Sequence, residues 1–196
     1  MKKSVFALAT IGIAVCCLGA CKTKDVDEQY NELNAMLQAN YSEIVIRMTD
    51  TFDKDTSLTE EYRMSYSSTT VFVEYSVERF VEISIDNPSS DLKTELKGIA
   101  TIKDGSISFN GDEVPGMTAD IANISLNFNK SYFAKAEFED KSFTADVSSP
   151  SGFMGSALLC TNMKVNAAFD EVFSSIQISY TSPSGSQVKY SYTFTA

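Results

Sequence analysis

The first periodic pattern along the chain is helical. Apolar side chains recur at Val26, Tyr30, Leu33 and Leu37, which is the spacing of one face of a helix. The pattern predicts an amphipathic helix of about fifteen residues. Its apolar stripe either packs on a sheet or lies on a membrane surface. The acidic polar face favours the sheet, because interfacial helices are usually rich in Lys and Arg.

After Asn40 the period changes from that of a helix to that of half-buried strands. Alternating apolar positions predict strands around 44–49, 58–66, 71–85, 99–102, 107–109, 131–138, 142–147, 175–181 and 187–195. Short turn-forming segments separate several of these runs: Asp104-Gly105, Glu139-Asp140-Lys141 and Pro183-Ser184-Gly185. Such short connections indicate antiparallel neighbours. We therefore expect a mainly β (α+β) fold, with one N-terminal helix packed on a curved antiparallel meander sheet or half-barrel.

Two longer segments interrupt the predicted meander. Residues 110–123 contain Gly111, Pro115 and Gly116, which is typical of a loop or a short helical turn. Residues 148–162 begin with Ser and Pro and then become apolar. This second segment either forms a lid or strand edge over the core or simply fills the core, and core filling is the simpler interpretation.

The N-terminus carries a targeting pattern. Lys2 and Lys3 precede an apolar run from Val5 to Leu18, which is too short for the roughly 20 apolar residues that a membrane-spanning helix needs. The run closes on Leu18-Gly19-Ala20-Cys21, which resembles the lipobox of bacterial lipoprotein precursors. The alternative is an ordinary secretory signal in which the cysteines are incidental.

The lipobox resemblance implies a domain layout and a location. Residues 1–20 would be a signal peptide, 21–25 a short tether beginning at lipidated Cys21, and 26–196 a single β-rich domain. Acyl chains such as palmitate on Cys21 would anchor the protein in the cell envelope. Lys22 is not the aspartate that such lipoproteins often use for inner-membrane retention. The expected location is the outer membrane where two membranes exist, and otherwise the outer face of the cell membrane.

The charge of the chain disfavours some partners. The net charge is −10 over 196 residues, with 16 basic and 26 acidic side chains. Nucleic acids and anionic lipid headgroups bind basic patches, so we expect no nucleic-acid partner. A solvated acidic surface that keeps a tethered domain in solution is the preferred interpretation, and a cationic partner is the alternative.

The absence of histidine restricts the chemistry. Without histidine, Ser-His-Asp and Cys-His catalysis and His-ligated zinc are excluded. A glycosidase with paired carboxylates is not excluded, but tryptophan, which often forms sugar platforms, is absent. Asp53-Lys54-Asp55 departs from the calcium-loop pattern and indicates an acidic turn. Cys160 lies in an apolar run and is predicted to be a buried, inert thiol. We therefore expect no catalytic residues, no metal site and no cofactor.

A fold-level resemblance suggests a role. The segment Val165-Asn166-Ala167-Ala168-Phe169-Asp170-Glu171, continuing into Ile176-Gln177-Ile178, is similar to the paired late strands of periplasmic lipoprotein carriers of the LolA, LolB and LppX type. The resemblance covers about the last third of the chain. It implies a half-open barrel around an apolar cavity.

Two functional hypotheses follow. The first is a non-catalytic binding module for an apolar or amphiphilic, lipid-like ligand on a concave sheet, with its binding residues unassigned. The alternative is a surface-exposed structural or protein-interaction lipoprotein that engages an envelope or host protein.

Overall fold

The structure, a computed structural model, describes residues 25–53, 56–82, 90–112, 124–155 and 158–196. Cys21 and the predicted signal segment lie outside the described residues, as do 83–89, most of 110–123 and the pair Lys54 and Asp55. The strands are β1 Glu43–Asp53, β2 Thr56–Tyr66, β3 Thr70–Glu82, β4 Ser90–Lys103, β5 Ser106–Gly111, β6 Phe133–Glu139, β7 Ser142–Val147, β8 Thr161–Phe169, β9 Phe173–Thr181 and β10 Gln187–Thr195. The helices are α1 Val26–Leu37 and α2 Pro150–Met154.

The ten strands form one antiparallel sheet. Its order is β5-β4-β3-β2-β1-β10-β9-β8-β7-β6, so β1–β5 and β6–β10 are two consecutive meanders. The meanders are joined by the pairing of β1 with β10, which runs from Glu43 opposite Thr195 to Thr51 opposite Gln187. The order is open, with β5 and β6 at its edges. The predicted antiparallel meander is therefore confirmed.

The periodic pattern located most strands but not all of their bounds. β4 begins at Ser90, well before the alternating run at 99–102. The first two residues of the strand predicted at 131–138 belong instead to a 3-10 helix, Lys130–Tyr132. The Asn129 side chain caps this helix by accepting a hydrogen bond from the Ser131 N–H. The strand β8 is indicated only by the carrier resemblance, although Met163, Val165 and Ala167 alternate with polar residues and are buried.

Helix α1 forms where the apolar spacing predicts it, beginning at Val26 and not at the start of the full chain. Asp25 caps its first turn by accepting a hydrogen bond from the Asp27 N–H at 3.3 Å. Tyr30, Leu33 and Leu37 are buried. The Tyr30 ring contacts aromatic residues of β6 and β7: Phe133, Phe138 and Phe143. The apolar stripe therefore packs on the sheet.

An aromatic cluster lies beneath α1. Phe128, which follows the undescribed part of the β5–β6 connection, is 1% exposed. Its ring centroid lies 5.4–5.9 Å from those of four other rings, namely Phe133, Phe143, Phe153 and Phe173. Aromatic pairs at these separations add about 0.5–1.5 kcal/mol each beyond the burial of their area. This cluster anchors α1, α2 and the β6–β10 meander to one another.

The segment 148–162 contributes to this core and also reaches solvent. It contains α2, whose Phe153 is fully buried, so the core-filling interpretation holds there. Leu159, by contrast, is 80% exposed. Cys160 is only partly buried and not the fully buried thiol predicted, although burial raises its pKa and so disfavours the reactive thiolate.

The two faces of the sheet differ in character. We call the face that carries the buried strand residues and α1 the inner face, and the other the outer face. The outer face is polar and holds an ion-pair network around Arg63, which lies 3.0 Å from Glu43 and 4.0 Å from both Glu61 and Glu74. Because these pairs are largely exposed, each contributes about 0–1 kcal/mol.

A single side chain joins α1 to the segment that carries Phe128. Asn34 donates from Nδ2 to the Phe128 carbonyl at 2.7 Å and accepts from the Phe128 N–H at 2.9 Å. We expect Asn34→Ala to lower the free energy of unfolding by about 2 kcal/mol, because both Phe128 backbone groups lose their partner. Urea denaturation of the domain measures the change. Asn31→Ala, at an exposed position of the same helix, is the control and should have little effect. Equal effects of the two substitutions would contradict the prediction.

Candidate ligand site on the inner face of the sheet

The apolar inner face extends beyond the part that α1 and the aromatic cluster cover. Many of its residues in β1–β5 and β10 are only partly buried while packing against the core, among them Ile46, Met48, Leu58, Tyr62, Leu96, Phe109 and Tyr190. Large apolar side chains are most often fully buried in folded proteins. This partly exposed area is the candidate site.

Two carboxylates lie within this apolar area. On β1, Asp50 continues the inward-facing row of Ile44, Ile46 and Met48, because alternate residues of a strand share a face. On β2, Glu60 stands opposite Met48, one inward position from Tyr62. The sequence pattern overlooked both acids. The sequence feature that could have identified them is an acidic residue at a strand position where the alternation places apolar residues.

Tyrosines of β9 and β10 complete the cluster. The register places Tyr190 opposite Met48, on the side of β1 away from Glu60. The rings of Tyr180 and Tyr190 are stacked with centroids 6.3 Å apart, and those of Tyr190 and Tyr192 are likewise 6.3 Å apart. We call Asp50, Glu60, Tyr62, Tyr180, Tyr190 and Tyr192 the acid–tyrosine cluster.

Burial disfavours negative charge on Glu60 and on the tyrosines of the cluster. It raises the pKa of Glu60, and together with the charges of Glu60 and Tyr190 it raises the pKa of Tyr62 to about 12. The pKa values of Tyr192 and Tyr180 are also raised, mainly by burial. For Tyr190, burial and the nearby Glu60 and Asp50 outweigh a hydrogen bond with Tyr180 that acts in the opposite direction.

One oxygen of the cluster is poorly satisfied. Asp50 Oδ1 is buried and has no hydrogen-bond partner within the described part of the chain. A buried polar atom left without a partner costs about 1–3 kcal/mol. The cluster therefore holds carboxylate oxygens that would accept a hydrogen bond from a bound molecule, beside phenol groups that remain protonated at neutral pH.

The groups at this site are suited to molecular recognition. Protonated phenols are poor general bases near pH 7, and among the described residues no group of three or more acidic or thiol side chains could hold a metal ion. The described residues also include no helix long and apolar enough to cross a membrane. Aromatic faces combined with carboxylates fit a neutral or cationic polar group attached to an apolar body.

Other depressions on the surface fit a ligand less well. One on the outer face of β6–β10 is lined mainly by polar side chains, including Lys135, Asp146 and Lys189, and is open to solvent. Another, at the start of β1 and the end of β2, is lined by apolar residues such as Ile44 and Tyr66 together with short polar ones. Neither combines partly exposed apolar strand residues with poorly satisfied polar atoms.

Comparisons with known proteins leave the family open. No known family matches the sequence, and no curated protein does either. Among solved structures, the chain is similar to the dehydratase domain from the CurF module of curacin polyketide synthase, at 8% identity and a TM-score of 0.20. The match covers 84% of this chain and 80% of that one. A TM-score this low carries no argument about fold or activity.

The raised pKa of Glu60 predicts a stability effect with a definite sign. A carboxyl group whose folded-state pKa exceeds its unfolded value loses stability as pH rises from about 4.5 through the folded pKa. Glu60→Gln should therefore raise the free energy of unfolding at pH 7, and the gain should vanish near pH 4. Urea denaturation across this pH range measures it.

Glu61→Gln is the matched control for that substitution. Glu61 is adjacent in sequence but faces outward, 3.7 Å from Arg47. Its replacement should slightly lower the free energy of unfolding at pH 7 or leave it unchanged. The interpretation of Glu60 as a destabilising carboxylate fails if both substitutions stabilise the domain equally.

Proposed function

We propose that this protein is a membrane-anchored extracytoplasmic lipoprotein whose domain binds an apolar or amphiphilic ligand on the inner face of its sheet. The anchor would be acyl chains on Cys21, as the lipobox resemblance implies. The sheet would curve as a half-barrel around the ligand. No catalytic step is part of the proposal.

The observation that supports ligand binding is the acid–tyrosine cluster within a partly exposed apolar area. Leu58, Met48 and Tyr62 supply apolar contacts for a hydrocarbon or aromatic body. Asp50 and Glu60 supply acceptors for a polar end. Apolar walls with a few placed polar groups are the usual composition of small-molecule sites.

The energetics of the site also support the proposal. Glu60 is placed where burial penalises its charge, and Asp50 Oδ1 has no partner among the described residues. Apolar residues at both positions would favour stability. Retaining polar groups at a cost in stability is typical of functional sites.

The charge of the site defines the preferred ligand. Two carboxylates in an area of restricted solvation repel anionic head groups and attract cationic ones. The ligand therefore carries a neutral or cationic polar end. Simple alkyl chains with different head groups serve as probes of this preference.

Native mass spectrometry of the domain, purified without detergent, tests the proposal directly. We expect a retained small molecule, or stoichiometric uptake of dodecylamine in preference to dodecyl sulfate below their micellar concentrations. Glu60→Gln should weaken dodecylamine binding roughly three- to tenfold, equivalent to about 0.6–1.4 kcal/mol. Glu61→Gln should not change it.

Two results would contradict the proposal. One is a domain with no bound mass and no saturable uptake of either probe. The other is binding of dodecylamine that Glu60→Gln and Glu61→Gln weaken to the same extent, since that would indicate attraction by the acidic surface as a whole.

The alternative function is a surface-exposed structural or protein-interaction lipoprotein. The polar outer face, with its ion-pair network around Arg63, is the surface that such a partner would contact. Recovery of one envelope or host protein with the wild-type chain, lost on reversing the charges of Glu61 and Glu74, would favour this alternative.

A further inference from the structure

The register of the central strands places the two acids of the acid–tyrosine cluster close together. Asp50 lies directly opposite Leu58 of β2 on one side and Val188 of β10 on the other. Glu60 and Tyr190 each stand two residues further along those strands, so both are diagonal neighbours of Asp50 on the inner face. Diagonal neighbours in an antiparallel sheet are about 7–8 Å apart. One small group can therefore contact both carboxylates from between them, with the Tyr190 side chain beside it.

The charges of these two acids are not compensated within the described part of the chain. Neither Asp50 nor Glu60 forms an ion pair there. The register places Arg79 of β3 opposite Leu58, but its guanidinium is paired with the Glu95 carboxylate at 3.9 Å. Burial opposes the negative charge of Glu60 and raises its pKa. A cation between the two acids would therefore offset both their mutual repulsion and the cost of burying that charge.

The same place also has acceptor atoms without a hydrogen-bond donor. Asp50 Oδ1 is buried and has no partner among the described residues. Tyr192 is 6% exposed and its ring stacks on that of Tyr190, yet its hydroxyl makes no hydrogen bond within the described ranges. A phenol oxygen can accept a hydrogen bond as well as donate one. These atoms are best satisfied by a ligand group that donates several hydrogen bonds.

The need for a cation and the need for donors together distinguish between possible head groups. A primary ammonium is a compact cation with three N–H donors and no acceptor. A quaternary ammonium has the same charge but no N–H group, so Asp50 Oδ1 would stay without a partner. A hydroxyl group can donate one hydrogen bond, but it would leave both carboxylate charges uncompensated. Of these three groups, only the primary ammonium meets both needs.

We propose that the polar end of the ligand is a primary ammonium group, held between Asp50 and Glu60 beside the tyrosine hydroxyls. The ligand is then an amphiphilic primary amine, with its apolar body on the partly exposed apolar residues of β1 and β2. This inference rests on the proposed ligand site and deepens it, because it assigns the chemistry of the head group. A surface that only attracts positive charge would not distinguish amines by their number of N–H groups.

A series of dodecyl amines with increasing methylation tests this assignment. Dodecylamine, N,N-dimethyldodecylamine and dodecyltrimethylammonium share one alkyl chain and one positive charge at neutral pH, but differ in their N–H donors. The protein is the mature chain, residues 21–196, with Cys21→Ser so that it carries no acyl chain. Isothermal titration calorimetry below the micellar concentrations measures the affinities. We expect affinity to fall with each loss of donors, by at least about tenfold from dodecylamine to dodecyltrimethylammonium, or about 1.4 kcal/mol.

Two matched variants place the head group. Asp50→Asn should weaken dodecylamine binding at least about tenfold and bring the affinities of the three amines within about threefold of one another. Asp104→Asn removes the same charge from the exposed turn between β4 and β5, and should leave the whole series unchanged. Urea denaturation verifies that both variants are folded. The comparison of the three amines on the wild-type residues at these positions depends on neither variant.

Each possible failure has a distinct meaning. Equal affinity for dodecylamine and dodecyltrimethylammonium would overturn the ammonium assignment but leave the proposed ligand site in place, since the chain would still bind a cationic amphiphile. Equal weakening by Asp50→Asn and Asp104→Asn would also overturn the assignment, because the attraction would then come from the acidic surface as a whole. Binding of none of the three amines would contradict the proposed function itself, and the assignment with it.

Discussion

The pairing of β1 with β10 is the interaction on which the rest of the structure depends. Each half of the sheet is a meander of sequential hairpins, which needs only local turns to form. The β1–β10 ladder joins residues 43–51 to residues 187–195 and so brings together the two ends of the domain. Without it the chain would be two separate five-stranded sheets, each with one more edge open to water or to aggregation.

The same ladder creates the candidate site. Asp50, Glu60 and Tyr62 come from the first meander, whereas Tyr180, Tyr190 and Tyr192 come from the second. They become neighbours because β1 and β10 are both central strands. The ladder also brings Phe194 beside Tyr41 and Phe173, so the aromatic core under α1 extends to the junction of the two halves. The stability of the fold and the proposed ligand site therefore depend on the same pair of strands.

Two regions of the inner face differ in how their apolar and polar groups are accommodated. Around Phe128, stacked and edge-on rings bury apolar area. The Asn34 side chain supplies hydrogen-bond partners for the Phe128 backbone. Around Met48, apolar side chains are left partly exposed, a carboxylate oxygen lacks a partner among the described residues, and burial opposes ionisation of Glu60. The first region stabilises the fold, and the second retains polar groups at a cost that a bound ligand would offset. The stability of the fold and the proposed ligand site thus depend on one surface, and Tyr180 and Tyr192 belong both to the buried core and to the acid–tyrosine cluster.

Local sequence patterns determined the elements of this protein, and tertiary structure decided what they build. The spacing of Tyr30, Leu33 and Leu37 specified the position of α1, and period-two alternation with short turns specified the hairpins, because both depend only on neighbouring residues. The early start of β4 was not located, because polar residues and a register shift against β3 interrupt the alternation there. The strand β8 was missed by the pattern analysis even though its residues alternate. The sequence pattern also could not show that Glu60 and Asp50 lie near Tyr190, and the pattern analysis did not single out Glu60 among its apolar neighbours. Their proximity requires β1 to pair with β10. These strands lie some 140 residues apart along the chain, and local spacing carries no information about so distant a contact. Whether so long a loop closes depends on the energy of the whole sheet.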